Sequence, residues 1–391
     1  MLKHLFKLIW NKKKENFLLI SEILISFMVI FAVFTLLVYN YQNYKLPAGF
    51  DEEDVWAVEL GEMNVSKHKD SAGVVHENLR NVIKGLPQVR SISFANGNVP
   101  FANNIITMGL NYKKKEVSAD IYSVEDSYKD VLRLTLVEGR WFSPEDNGLS
   151  KSTIIINEET KQRLFGSEKA IGKVITQFDD HMKVIGVVQN LKDKSDFKTA
   201  TAGAFQRIDT GGIRDMSRML IRIAAGTDAA FEGKMYKLIA STIKSTNLEI
   251  KHLVDMKAEK NKETIIPLII FFIVAGFLII NVALGIFGVL WYNINKRRSE
   301  IGLRRAIGAT SGSVSGQLVG EALVIATFSL IIGSFFAIQF PLLKVFDLPA
   351  SVYLQAQFFA IVFIYLLVII CALYPGKQAA SIYPAVALHE E

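Results

Sequence analysis

The sequence contains one stretch that approaches a nucleotide-binding loop without matching it. Residues 166–174 read GSEKAIGKV. A phosphate-binding loop needs the pattern G-x-x-x-x-G-K-[ST], because its backbone amides, its lysine and its hydroxyl each contact the phosphates or their magnesium ion. The stretch has one residue too many between its glycines and ends in Val174 where a hydroxyl is required. We therefore predict that this chain does not hydrolyse nucleotides.

Other catalytic chemistry is equally weakly supported. The sequence has no H-E-x-x-H pattern, no paired cysteine ligands and no nucleophile elbow, and its single cysteine is Cys371. The pair His76 and Glu77 is too small a set, since a catalytic or metal site needs several side chains in complementary roles. The sequence predicts no catalytic residue, no metal site and no cofactor in this chain.

The most informative segment, residues 296–320, reads KRRSEIGLRRAIGATSGSVSGQLVG. A helix over residues 300–307 would place Glu300 four residues before Arg304, an order that favours helix formation. Its apolar side would consist of Ile301, Leu303, Ala306 and Ile307. A short charged helix of this kind could insert into a soluble partner, or it could be a basic loop that only fixes membrane topology. The residues alone give these two interpretations equal weight.

Three glycines occupy every fourth position in the same region: Gly312, Gly316 and Gly320. Small residues at this spacing form a smooth stripe on one helix face, which lets another helix backbone approach closely. The stripe predicts a helix contact, either within the chain or at the interface of a dimer.

Four polar residues lie within or beside strongly apolar stretches. Gln317 and Glu321 are four residues apart near the predicted membrane surface, where an ionisable residue is costly unless it pairs or faces a polar cavity. We expect Asn281 to hydrogen-bond to a neighbouring helix. Glu22 is expected to extend toward the basic cytoplasmic surface.

The elements that position these residues are predicted to be membrane-spanning helices. Half of the chain is hydrophobic, and its apolar residues are concentrated in four stretches. A bilayer core about 30 Å thick requires roughly 20 apolar residues from a spanning helix. The stretches that meet or approach this length are residues 17–38, 265–292, 314–340 and 353–374.

The net charge of +6 is distributed as a topology signal. Basic residues lie beside the first span and between the second and third, whereas residues 341–352 carry only Lys344 opposed by Asp347. Lysine and arginine are enriched in cytoplasmic loops. We therefore predict cytoplasmic termini, an external region between the first two spans, contacts with membrane lipids, and no nucleic-acid partner.

The sequence thus predicts an integral membrane α-helical protein with four transmembrane helices and a large α+β extracytoplasmic domain of two subdomains. Its predicted parts are a cytoplasmic amphipathic helix (1–16), spans at 17–40, 264–292, 314–340 and 353–374, an external domain (41–263), a cytoplasmic coupling segment (293–313), an external loop (341–352) and a cytoplasmic tail (375–391). Within the external domain, residues 41–122 and 191–263 are expected to form one β-α-β subdomain, and residues 123–190 a strand-rich insert.

Residues 300–310, EIGLRRAIGAT, resemble the coupling segment of the MacB-type, FtsX-like permease family of ABC transporters almost residue for residue. Gln317 and the pair Glu321 and Ala322 resemble its continuation into the third span. The insert, with EGRWF at residues 138–142, is similar to the family's periplasmic domain. Gly376 and His389 stand where the family tends to have alanine and arginine.

The resemblance implies a permease of the bacterial inner membrane, in a homodimer or heterodimer with a second copy or a paralogue. It implies a separate ABC ATPase subunit that carries ATP and magnesium, because no nucleotide-binding domain precedes the first span. The residues implied to contact that ATPase are Glu300, Ile301, Leu303, Arg304, Arg305 and Ile307.

Members of this family convert ATP-driven closure of the dimer into movement of their periplasmic domains. The size of the external domain favours efflux of an amphiphilic, peptide or drug-like substrate with a periplasmic adaptor. Release of lipoproteins and control of a cell-wall hydrolase use the same movement and stay open. A membrane-anchored signalling or binding protein without an ATPase partner is the alternative from another class.

Overall fold

A computed structural model of the chain describes residues 13–61, 71–148, 152–208, 217–243 and 247–380. Most of the predicted amphipathic helix at residues 1–16, and the end of the predicted tail at residues 381–391, lie outside the described residues.

The chain forms two compact units. The first comprises Met1–Gln42 and Ile266–Glu391, and the second comprises Asn43–Ile265. Both boundaries fall inside helices, so the chain passes between the units without a loop.

The elements follow one another in chain order with these bounds: α1 (Lys13–Lys45), β1 (Val55–Glu59), α2 (Ser71–Lys84), β2 (Val89–Gly97), β3 (Thr107–Tyr112), β4 (Lys115–Val124), α3 (Tyr128–Leu132), β5 (Leu136–Gly139), β6 (Thr153–Asn157), α4 (Glu158–Phe165), β7 (Val174–Gln177), β8 (Asp180–Val188), β9 (Gly203–Arg207), β10 (Arg218–Ile223), α5 (Ala229–Ile243), β11 (Glu249–His252), α6 (Leu253–Lys296), α7 (Arg298–Ala306), α8 (Ser311–Leu342) and α9 (Ala350–Ala380). Two short 3-10 helices occur at Pro144–Gly148 and Val345–Asp347.

Four helices within the described ranges, α1, α6, α8 and α9, are long and apolar enough to cross a membrane. They extend beyond the predicted spans. Helix α6 begins at Leu253 rather than at residue 264, and α9 continues through Pro375 to Ala380, where the sequence predicted a tail. The length of an apolar stretch shows only how much of a helix matches the bilayer core. The helix itself can continue into polar flanking residues, because its backbone hydrogen bonds do not depend on apolar side chains.

Aromatic side chains of α1 pack it against α8 and α9. The ring centroid of Phe31 lies 5.6 Å from that of Phe340 and 6.3 Å from that of Tyr353. Phe27 is fully buried and covers Gly333 of α8. In α6, by contrast, only 6% of the most apolar window is buried, against 39%, 33% and 28% in α1, α8 and α9. The described residues therefore leave most of the apolar surface of α6 uncovered.

The second unit is built on one eleven-stranded sheet. At one end its strand order is β11-β1-β10-β2, with every neighbouring pair antiparallel. The segments β1-α2-β2 and β10-α5-β11 therefore interleave, and each places one of its strands between the two strands of the other. We call these four strands with α2 and α5 the first subdomain.

Both faces of the first subdomain's sheet are buried. In β1, Trp56 and Val58 pack with the core formed by α2 and α5, whereas Val55 and Ala57 belong to a second core on the opposite face. Successive side chains of a strand point to opposite faces, so a strand covered on both sides is apolar throughout.

The second subdomain consists of strands β3 to β9 and helix α4, and its core includes Leu110, Ala119 and Val184. This corrects the predicted boundary, which assigned residues 107–122 and β9 to the first subdomain. Strand β4 pairs with β2 over only three residues, but it pairs with β3 over six and with β9 over five. The longer pairings place β3, β4 and β9 with the insert.

Candidate coupling site

Helix α7 lies between α6 and α8 and is joined to α8 by a short turn. Gly308 adopts a φ of +102°, a conformation that glycine enters easily and that most side chains disfavour. Thr310 caps α8, and its hydroxyl accepts a hydrogen bond of 3.2 Å from the Ser313 amide. The glycine and the cap end one helix and begin the next within a few residues.

One apolar residue of α7 faces its own chain. Ile301 is 5% exposed and packs with Ile294 of α6 and Val314 of α8. The sequence interpretation placed Ile301 on a surface that docks into the ATPase, and the structure corrects this, because the side chain is already buried. A helical pattern identifies an apolar side but does not say which partner covers it.

Two other apolar residues of the segment face outward. Leu303 is 55% exposed and Ile307, at the C-terminal end of α7, is 79% exposed. Their four-residue spacing puts them on one side of the helix. The pair lies outside the four candidate membrane spans. We call Leu303 and Ile307 the apolar pair.

Five polar side chains form a closed ring of hydrogen bonds that joins α7 to α8. Arg297 donates to Glu300 at 3.0 Å and to Glu321 at 2.7 Å. Arg304 donates to Glu300 and to Gln317, both at 2.6 Å. Gln317 donates to Glu321 at 3.0 Å, which closes the ring. Gln317 and Glu321, expected to be costly alone at the membrane edge, are thus both paired.

The ring is partly shielded from water, since the Arg297 and Glu321 side chains are 17% and 18% exposed. Its hydrogen bonds to Glu300, together with the nearby charge of Glu321, raise the pKa of Arg297 above its usual value. Arg305 acts separately and donates to Ser311 Oγ at 2.8 Å. The arginines of the segment therefore brace α7 onto α8.

The glycine stripe is open in this chain. A Cβ added to Gly312, Gly316 or Gly320 would meet no atom within 4 Å, so no helix among the described residues packs against the stripe. Asn281 was expected to bond to another helix, but it is exposed and its amide donates to Phe277 O of its own helix at 2.8 Å.

Glu22 also differs from its expected position. Its carboxylate lies against α6, where a Cβ added to Gly285 would be 1.6 Å from Glu22 Oε1. The side chain therefore occupies a notch in α6 instead of extending along its own helix toward the basic surface. Among the described residues, no group of three or more His, Cys, Asp or Glu side chains could hold a metal ion.

Two family models match the chain and together cover both of its units. Residues 17–235 match the MacB-like periplasmic core domain, and residues 272–384 match the FtsX-like permease C-terminal domain. The chain belongs to the MacB/FtsX-like family of ABC transporter permeases. It is a membrane protein with four apolar helices and a large extracytoplasmic α/β domain.

Curated relatives of this permease agree with the family. It is 22% identical to the ABC transporter permease YknZ of Bacillus subtilis over 80% of this chain and 79% of that protein. It is 25% identical to the macrolide export ATP-binding/permease protein MacB 1/2 of Paracoccus denitrificans over 60% of this chain and 36% of that protein. MacB of Bdellovibrio bacteriovorus is 22% identical over 80% of this chain. The permease spans less than half of that protein, 48%.

Solved structures similar to the permease are domains outside the membrane. The periplasmic region of MacB from Actinobacillus actinomycetemcomitans covers 56% of this chain and 97% of its own, with a TM-score of 0.39 and 15% identity. The extracellular domain of the YknZ transporter from Gram-positive bacteria covers 50% of this chain and 99% of its own, with a TM-score of 0.36 and 17% identity.

Proposed function

We propose that this permease is the membrane subunit of an ABC transporter whose ATP and magnesium are bound by a separate ATPase subunit. It sits in the bacterial inner membrane with both termini in the cytoplasm, and it couples ATP hydrolysis to movement of its periplasmic domain. Its substrate is an amphiphilic, peptide or drug-like molecule expelled from the periplasm, with a periplasmic adaptor as a further partner.

The apolar pair carries this proposal. Leu303 and Ile307 are exposed, and they lie outside the four candidate membrane spans. Large apolar side chains on a rigid helix are suited to anchoring a partner, because a few buried side chains supply most of the free energy of binding. The ATPase subunit is the partner that the family's chemistry requires.

The bracing of α7 gives the docked ATPase a mechanical connection to the membrane helices. Ile301 fixes α7 to α6 and α8 through apolar contact, and the polar ring fixes it to α8 through charge-assisted hydrogen bonds. Such bonds are roughly twice as strong as neutral ones and hold a defined geometry. Movement imposed on the apolar pair would then move α8.

A second permease copy or a paralogue is the other partner that we propose. Two features support it: the open glycine stripe on α8 and the uncovered surface of α6 with Asn281 exposed on it. In a membrane, close helix contact at small residues and hydrogen bonds between polar side chains are the main sources of association.

The test of ATPase coupling uses the tagged, full-length permease purified from its own cells, with co-purifying nucleotide-binding subunits identified by mass spectrometry. Ile307→Asp and Leu303→Asp should each reduce the recovered ATPase strongly, since loss of a buried anchor costs about 2 kcal/mol or more, roughly a 30-fold change in affinity. Arg305→Ala should have a smaller effect, because that guanidinium is engaged in the turn.

Val137→Asp is the matched control. Val137 is 47% exposed on β5, so it receives the same chemical change at similar exposure within the external domain. Its ATPase recovery should equal that of the unaltered permease. Full ATPase recovery and transport-dependent growth with Ile307→Asp, at an equal amount of protein in the membrane, would show that α7 only fixes membrane topology. That result would favour a signalling or binding protein.

A further inference from the structure

Residues 190–198, which we call the strap, form an irregular segment between β8 and β9 that is largely buried. Lys192 is 4% exposed, Asp193 5% and Ser195 0%. Connecting segments normally run over the surface, because buried backbone and polar side chains must all find partners. A lysine is buried only where its charge is well stabilised. The partners of the strap therefore indicate what it holds together.

The strap binds the C-terminal end of α1. Lys192 Nζ donates to the carbonyl oxygens of Asn43 at 2.6 Å and Leu46 at 3.2 Å. Asn43 Nδ2 donates to Phe197 O at 2.9 Å, and Tyr44 stacks on Phe197 with a centroid distance of 5.8 Å. The last carbonyls of a helix attract a cation, which compensates for the burial that lowers the pKa of Lys192.

The strap also binds the N-terminal part of α6. Asn261 Oδ1 accepts hydrogen bonds from Ser195 Oγ at 2.9 Å and from the Asp196 amide at 3.0 Å. Asn261 Nδ2 donates to Asp196 Oδ2 at 2.8 Å. Lys257, one turn earlier, lies 3.1 Å from Asp196 Oδ1. One short segment thus holds both helices that continue into the other unit.

Other strap contacts reach strand β4 of the sheet and the loop between β2 and β3. Tyr122 donates its hydroxyl hydrogen to the Asp193 carboxylate, and Lys194 lies 2.8 Å from Asp120. The Phe101 amide donates to Asp193 O at 2.7 Å. Strand β4 is where the two subdomains join, since it pairs with β2 on one side and with β3 and β9 in the second subdomain.

Chain connectivity alone leads both helices only to the first subdomain, because α1 is followed by β1 and α6 directly follows β11. Helix movement would then reach the second subdomain through the first, by routes that include the three residue pairs of β2 with β4 and the cores that the subdomains share. The strap adds direct contacts from both helices to β4.

We propose that the strap makes the second subdomain follow the movements of α1 and α6 during ATP turnover. This inference rests on the proposed function and adds the route by which the outer part of the periplasmic domain moves. It assigns a transmission role to Lys192, Ser195 and Asn261, whose hydrogen bonds join the strap to α1 and α6.

The test compares amide hydrogen exchange of the purified permease–ATPase complex with no nucleotide and after trapping with ATP and vanadate. In the unaltered complex we expect nucleotide-dependent differences both in β1 and in the β7–β8 hairpin. Asn261→Leu and Lys192→Met should abolish the difference in the hairpin and keep the one in β1. Ser195→Ala, which removes one hydrogen bond without adding bulk, should give a smaller loss in the same direction.

Glu263→Gln is the matched control on α6, because it removes an ion pair with Lys260 and leaves every hydrogen bond between Asn261 and the strap in place. It should leave both exchange differences intact. If the strap only stabilised the fold, its variants would lower the unfolding temperature, but the exchange differences in β1 and in the hairpin would persist or disappear together. Persistence of the hairpin difference in all three strap variants would overturn the inference, and absence of any difference in the unaltered complex would overturn the proposed function as well.

Discussion

On helix α8, Gly333 and Gly316 have different surroundings. A Cβ at Gly333 would lie 2.5 Å from the ring of the fully buried Phe27. Overpacking of this kind typically costs about 1–3 kcal/mol. Gly333→Ala should therefore lower the thermal unfolding temperature of the permease in detergent, because Phe27 must leave its place between the helices.

Gly316→Ala is the control on the same helix, since no atom lies within 4 Å of its added Cβ. Its unfolding temperature should stay close to that of the unaltered protein. If the proposed second permease copy packs on the glycine stripe, Gly316→Leu should lower the molar mass measured by light scattering, because the larger side chain blocks close helix contact. Equal destabilisation by both alanine variants would contradict the different packing of the two glycines.

For single residues, the sequence indicated which side chains need a polar partner, but it did not indicate which side chains are buried. The polarity of Gln317 and Glu321 indicated that each needs a partner, and the structure supplies Arg304 and Arg297. Ile301 and Ile307 have the same type and lie in one helical segment, yet one is buried and the other exposed. Burial depends on how α6 and α8 are placed around α7, and no local pattern encodes that placement.

At the scale of elements, the five-residue ring should decide how firmly α7 is held. Glu321→Ala removes two hydrogen bonds that the Glu321 carboxylate accepts in the ring, one from Gln317 and one from the partly buried guanidinium of Arg297. Loss of such a bond costs about 1.5–3 kcal/mol. Amide exchange in residues 298–306 should accelerate by roughly 10- to 100-fold, since that free energy restrains local opening.

Glu168→Ala provides the comparison, because Glu168 forms an ion pair with Lys113 in which both side chains are about half exposed or more. Exposed ion pairs contribute little to stability because water screens them, so exchange near residue 168 should change little. If Glu321→Ala left the exchange of α7 unchanged, apolar contact at Ile301 alone would hold the helix.

Elements with strong local signals were recognised and those with weak turns were missed. The sequence predicted a strand-rich insert over residues 123–190, and the structure pairs β7 with β8 there, from Val174 to Lys183, across a turn at Phe178 and Asp179. The β3–β4 hairpin was missed because its turn, Lys113 and Lys114, contains no glycine, proline or asparagine. Lys113 instead adopts a φ of +55°. The strap has no regular pattern at all, so only its contacts reveal it.

At the scale of the whole molecule, the orientation of the membrane helices is open to direct test. In a Cys371→Ser background, Asp179→Cys should react with an impermeant thiol reagent in intact cells, and Ser299→Cys should react only after the membrane is opened. The asymmetry of lysine and arginine between the loops gives this expectation. Both positions are exposed, so access to each depends on the side of the membrane. The reverse pattern would invert the architecture.

The interleaved order β11-β1-β10-β2 has a consequence for biosynthesis. Strands β1 and β2 emerge from the translocation machinery early, but the strand that separates them, β10, begins only at Arg218. Until then both carry unpaired edges, and exposed edges promote aggregation. Pairing of distant segments is also slow. The sheet of the first subdomain can therefore be completed only after Arg218 and the residues that follow it have crossed, whereas strands β3 to β9 of the second subdomain all precede that point.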